Sequence, residues 1–426
     1  MFSPSLAHPL LWLIVTASIA LMLIRPRDVP EVYWVGAGVL LLLGLRLMPL
    51  RVAGKAVGRG LDVYLFLIGM MLLSELAREQ GVFDWLASAA VRNAQGSDAR
   101  LFLLVYAAGV VVTIFMSNDA TAVVLTPAIL FAVRRAKVEP LPYLFVCAFI
   151  ANAASFVLPI SNPANLVIFH KDMPPLGRWL LWFTVPSIIS IIVTFLVLRY
   201  IFRRRLRGRI TFELRNQALT PHGRLVVIAL GATAIVLITA SALNWDLGLP
   251  TCLTALAVTI FVCVKARTSP WPLARQISWT TIGLVAGLFI TVEAVERTGA
   301  IELARDWFRW ADSIAPALGT LASGFAVGVS NNLVNNLPLG LLAGSALTVV
   351  HVKPLITASV LIGTDLGPNL SITGSLATIL WLIALRREKL EVSFASFLKV
   401  GLIAMPIALL ASLGGAIAMS MLFGAP

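Results

Sequence analysis

Long uncharged apolar runs recur along the whole chain, and nothing else constrains its fold so strongly. The segments 10–24, 141–158 and 332–350 contain no Asp, Glu, Lys or Arg at all. A hydrocarbon layer about 30 Å thick is crossed by about 20 helical residues, which is the length scale of these runs. Hydrophobic residues make up 59% of the 426 and charged ones 12%, about half the charged fraction of a soluble domain. So much apolar surface finds no hiding place in a water-soluble fold. In lipid every backbone polar group must be satisfied internally, which leaves helices or a closed barrel. The strict alternation of a barrel strand is absent. The expectation is an all-α membrane protein, and not an enzyme.

The net charge is +13. It sits in short loops beside apolar runs, where it sets orientation rather than recruiting nucleic acid. The densest basic stretch is 199–224, with Arg203, Arg204, Arg205, Arg207, Arg209 and Arg215. It should face the cytoplasm, and it divides the chain into 1–205, a linker 206–221 and 222–426. The parts repeat one order of events. Two spans with a short turn come first, then a third span and a charged amphipathic stretch (75–100 and 293–312). A pair of apolar segments then meets at a polar tip, followed by a helix broken at a polar cluster and a last long span. With each tip-joined pair treated as a re-entrant hairpin, each half crosses five times. An odd number makes the halves inverted-topology repeats and places both termini in the periplasm. Arg46, Arg51, Lys55 and Arg59 then fall outside, against the charge bias.

The polar clusters carry the functional reading. The tips are Ser117, Asn118 and Asp119 in the first half and Ser330, Asn331 and Asn332 in the second. The breaks are 161–165 and 364–369. A lone Asn in such a helix is ordinarily interhelical glue, but matched clusters in both halves point to one shared site near the midplane, built from broken helices as in inverted-repeat transporters. Candidate substrate ligands are Asn118, Asn162, Asn165, Asn331, Asn332, Asn335, Asn369, Thr373 and Ser375. Asp119 and Asp365 are carboxylates at membrane depth, candidates for carrying a proton, although each also stands where a helix cap would. Asp62, Glu75 and Glu293 read as interfacial. The clusters contain no Lys or Arg, which suits a neutral polyhydroxyl solute or a cation better than a dianion. The first two spans of each half lack such clusters and would form a scaffold against which the rest moves.

Other features read as bland. Cys147, Cys252 and Cys263 form no metal-ligand or disulfide spacing. His8, His170, His222 and His351 lie at termini or loop edges. The glycine pairs 283/287, 324/328 and 340/344 read as helix-packing seams. No phosphate-loop motif appears, so energy must come from an ion gradient or a separate subunit. No cofactor or metal is expected.

The stretches 115–127, 329–338 and 363–378, with the break at Ser161, Asn162, Pro163, Ala164 and Asn165, resemble the ArsB family of arsenite and antimonite efflux permeases in the ion-transporter superfamily. The resemblance extends in layout over nearly the whole chain. It implies export of trivalent arsenic or antimony in exchange for protons across a bacterial inner membrane, and in some members a soluble arsenite-stimulated ATPase partner. Arsenous acid is neutral and trihydroxylated at pH 7, which agrees with hydrogen-bonding clusters that hold no Lys or Arg. The dicarboxylate carriers of the superfamily have Ser-Asn-Thr at these places, where this chain has Asp119 and Pro163. A sodium/proton exchanger, a silicic-acid or dicarboxylate carrier, a passive neutral-solute channel and a non-transporting receptor remain as alternatives.

Overall fold

A computed structural model describes residues 4–169, 173–206, 208, 210 and 218–423. His170, Arg207, Arg209 and Arg215, singled out above, lie outside the described residues. Every regular element among the described residues is helical. Among the described residues, eight helices are long and apolar enough to cross a membrane, or nine if the pair Leu50–Arg59 and Leu61–Glu79, bent by 50°, counts as one span. Leu141–Ala153 and Pro163–Phe169 are shorter apolar helices on either side of a break.

The order of elements repeats between the halves. Pro4–Ile24 and Glu31–Gly44 correspond to Pro221–Ala242 and Gly248–Ala266. Leu61–Glu79 corresponds to Trp279–Glu296, and the amphipathic Val82–Asn93 to Ala300–Ser313. The hairpin arms Asp98–Phe115 and Asn118 to Arg135 correspond to Pro316–Val334 and Asn336–Leu347. The broken helices are Leu141–Ala153 with Pro163–Phe169, and Pro354–Leu366 with Leu376–Arg387. Leu176–Phe202 and Phe394–Phe423 close the halves, each with one internal proline, Pro186 and Pro406, and they pack on each other.

Small residues let these helices approach, as lipid-embedded packing requires. A side chain on Gly287 would press within 2.8 Å of Val35, one on Gly328 within 3.0 Å of Leu409, and one on Gly344 into the backbone of Ile168. Each of the three glycine pairs therefore faces a neighbouring helix through at least one member, as the sequence indicates.

The second hairpin turns later than the sequence suggests. Pro316–Val334 runs straight through Ser330, Asn331 and Asn332, and the chain reverses at Asn335, with φ 81°. The reason is Pro338, which fits the first turn of a helix but not its interior, so the next helix starts at Asn336. The first tip reverses at Ser117, with φ 138°. A non-glycine residue held at positive φ costs about 1–3 kcal/mol. Both tips recover part of this by capping, Ser117 Oγ accepting from Ala120 N (3.3 Å) and Asn335 Oδ1 from Leu337 N (3.4 Å). Asn335→Val should therefore lower stability by about 1–3 kcal/mol in a detergent melt, while Asn335→Gly should stay within about 1 kcal/mol of the parent.

Candidate functional site

Helix starts from both halves converge on one place. Asn118 opens the second arm of the first hairpin, Asn162 precedes Pro163–Phe169, Asn336 opens the second arm of the other hairpin, and Ser375 caps Leu376–Arg387. Each start leaves N–H groups without intrahelical partners and carries the positive end of a helix dipole. Asn162 Oδ1 accepts from Ala164 N (3.0 Å) and Ser375 Oγ from Thr378 N (3.1 Å). Between these starts lies a cleft of about 10 Å³ lined by Asn118, Asp119, Asn162, Thr281, Asn336 and Ser375, with Pro163, Leu337 and Leu376 closing around them. Asp119 is the one charged side chain in this lining.

The cleft adjoins a vestibule of about 400 Å³ that shares Leu67, Asp119 and Pro163 with it. Its lining is partly apolar, with Phe66, Met70, Val123 and Leu380, and partly polar, with Ser74, Glu75, Gln276, Ser278, Arg387 and Glu388. Asp119 thus stands where the vestibule narrows into the cleft. Its segment contains a π turn over Thr121–Leu125. Pro127 has no N–H to give a regular ladder and its ring crowds the carbonyl four residues back. The wider turn absorbs both, and Thr126 Oγ1 donates to Thr121 O (3.0 Å). Such turns recur at functional sites.

Of the residues predicted from sequence, Asn118, Asp119, Asn162 and Ser375 line the cleft. The others line neither cavity. Asn165 Nδ2 donates to Ser155 O (2.9 Å) and holds the first break open. Asn331 Nδ2 donates to the carbonyls of Gly363 and Thr364 (3.0 Å each). Asn332 donates to Gly367 O (3.1 Å) and accepts from Ser371 Oγ (2.7 Å). Thr373 Oγ1 donates to Asn332 O (2.9 Å), and Asn335 Nδ2 to Thr373 O (3.3 Å). These bonds weld the second tip to the second break. Asn369 and Asp365 reach across the molecule instead: Asn152 Nδ2 donates to Asn369 Oδ1 (2.9 Å), and Asn162 Nδ2 to Asp365 Oδ1 (2.7 Å). Asp365 lines neither cavity.

Asn152, Asn336, Thr281 and the vestibule wall with Glu75 were not singled out as site residues from the sequence. Asn336 carried a legible signal, because it follows a capping Asn and precedes Pro338 by two positions. Asn152 carried a weaker one, a single amide in an apolar run.

The family model CitMHS, described as citrate transporter, matches residues 9–362. The chain belongs to this family of membrane transporters. Family relatives include an arsenical pump membrane protein of Escherichia coli, 26% identical over 360 residues, covering 79% of this chain and 81% of that one. Another, from strain K12, is 28% identical over 358 residues with the same coverage. A putative arsenical pump membrane protein of Bacillus subtilis is 24% identical over 417 residues, 91% of this chain and 94% of that one. Among solved structures, the YdaH transporter of Alcanivorax borkumensis matches with a TM-score of 0.55 at 15% identity, covering 89% of each chain. That likeness speaks for the fold alone.

Proposed function

We propose that this transporter exports trivalent arsenic and antimony as their neutral trihydroxy acids in exchange for protons, with Asp119 as the proton carrier. The observation that carries the reading is the meeting of helix starts around the cleft, lined by uncharged amides and hydroxyls without Lys or Arg, with one carboxyl where it joins the vestibule of about 400 Å³ that has room for the solute. Oriented N–H groups bind the oxygens of a small polyol, and the amide and hydroxyl side chains accept its protons. The names of the arsenical pump relatives support the same substrate class.

Sidedness follows from which ends meet. Arg78 with Gln276, Arg134 with Glu388, and Arg205 with Glu139 share the end that carries the central basic stretch. Arg59 pairs with Glu293 at the other end, where Gly248 N donates to Asp62 (2.6 Å). The first hairpin starts from the basic end, beside Tyr143 and Ile210. The second starts from the opposite end, beside the Lys353–Asp312 pair. This supports reading 1–205 and 222–426 as inverted repeats, with termini in the periplasm and the vestibule open to the cytoplasm. Arsenous acid then enters from the cytoplasm and displaces the Asp119 proton. The reversed state exposes the cleft to the periplasm, where Asp119 takes up a proton as the substrate leaves. In this reading the basic residues at 46–59 stay on the outer end, Arg51, Lys55 and Arg59 in the short amphipathic helix Leu50–Arg59 packed on Trp279–Glu296 and Arg46 just before it.

A carboxylate carrier is the second reading, favoured by the family's description and by the positive ends of the converging helices. Everted vesicles decide between them. An imposed acid-inside gradient should drive arsenite accumulation and leave citrate uptake at background, without any added soluble ATPase. Gradient-driven citrate uptake with no arsenite uptake would overturn the arsenite reading.

A further inference from the structure

Two acids stand at membrane depth, and the structure gives them unlike surroundings. Asp119 lines both cavities. Asp365 is fully buried and lies on neither. Its place in the chain has a counterpart in the first half. Leu141–Ala153 and Pro354–Leu366 are the first pieces of the two broken helices, each 13 residues long. Asn152 is the next-to-last residue of one and Asp365 the next-to-last of the other. Both reach across to the opposite half. Asn152 Nδ2 donates to Asn369 Oδ1 at 2.9 Å, with Thr378 Oγ1 at 3.5 Å. Asp365 Oδ1 accepts from Asn162 Nδ2 at 2.7 Å. Asn369 Nδ2 returns a bond to Phe149 O (3.1 Å), and Trp381 Nε1 donates to Leu144 O (3.1 Å). The cross-links thus run both ways between the same two broken helices, through side chains that are 0–2% exposed.

We propose that Asp365 is a positioning residue whose carboxyl clasps Asn162, so that the broken helices of both halves travel as one body, while the coupling proton is left to Asp119. This rests on the proton-exchange reading above and assigns its two acids different work. The equivalent place in the first half is held by a neutral amide, Asn152, which makes its cross-half bond without an ionisable group. A clasp at Asp365 needs only an acceptor facing Asn162, and Asn supplies one. The Asn162 amide is oriented for the task, because its Oδ1 is occupied by Ala164 N and leaves Nδ2 free to point at Asp365.

Two measurements test the assignment on the full-length purified chain. The first needs no transport. In detergent melts, Asn162→Ala and Asp365→Ala should each lower Tm by several degrees, and the double variant no further than the worse single. The exchanged pair Asn162→Asp with Asp365→Asn should recover most of the loss, since Asp also caps a helix. Additive losses, or an exchanged pair no better than the singles, would overturn the clasp. The second uses proteoliposomes with an imposed pH gradient. Asp365→Asn should slow arsenite flux by less than about tenfold, at or below one lost hydrogen bond in the bound or moving state. It should keep the wild-type number of protons moved per arsenite. A changed proton count would return a coupling role to Asp365. A wild-type chain that moves no arsenite against the gradient would sink the exporter reading instead, and the melts would still decide the clasp.

Discussion

Asp119→Asn should abolish pH-driven arsenite accumulation while leaving the protein folded. Asparagine keeps the volume and the hydrogen-bonding reach of the side chain but cannot release a proton. The tip is held by other groups: Ser117 Oγ capping Ala120 N, and the Thr113–Thr121 hydroxyl pair at 2.8 Å. The variant should therefore equilibrate arsenite down its own gradient. The initial rate of uptake driven by an imposed pH difference should fall by at least about 100-fold, the range in which a positioned proton-transfer group acts, and no concentration ratio should build up. The check is paired uptake in everted vesicles, with and without a collapsing ionophore. Gradient-driven accumulation at the wild-type level in Asp119→Asn would remove the carboxyl from the coupling step.

The second large effect is structural. Gly363→Val should destabilise the chain by about 3 kcal/mol, at the upper end of typical overpacking. A side chain on Gly363 would collide with the backbone of Gly324, and one on Gly367 with Gly328 and the Asn331 amide. These glycines seat Pro354–Leu366 against Pro316–Val334, which places Asn331 within reach of the carbonyls of Gly363 and Thr364. Pushing the helices apart breaks those bonds as well, so the second tip and the second break lose their register together. The variant should melt well below wild type in detergent and transport nothing. Gly414→Val, at a glycine with open space around it, is the control and should keep its Tm.

Much of this was legible in the residues. The spans, the repeat of events and the first tip follow from uncharged runs interrupted by Ser117, Asn118 and Asp119, because polar groups in lipid are too costly to place at random. The break at Asn162 and Pro163 was equally plain. The second tip was displaced because a run rich in amides does not itself say which amide caps and which is glue. Asn331 and Asn332 serve as glue between helices, while Asn335 caps. Pro338 was the deciding residue, since it fixes where a helix starts. Hidden from the sequence were the cross-half pairs Asn152–Asn369 and Asn162–Asp365, separated by 217 and 203 residues. No local pattern encodes which amide meets which carboxyl at such range. The vestibule was hidden for the same reason, assembled from Glu75, Gln276 and Arg387 on separate helices.

The exchange of a neutral substrate for a proton at one carboxyl is most directly tested by thermodynamics. In proteoliposomes of the purified chain, with the membrane potential clamped at zero, the equilibrium arsenite ratio should change about tenfold for each pH unit imposed if one proton is exchanged. Arsenite should accumulate on the acidic side. A ratio that stays at unity whatever the pH difference would contradict proton exchange and leave the cleft as a passive pathway.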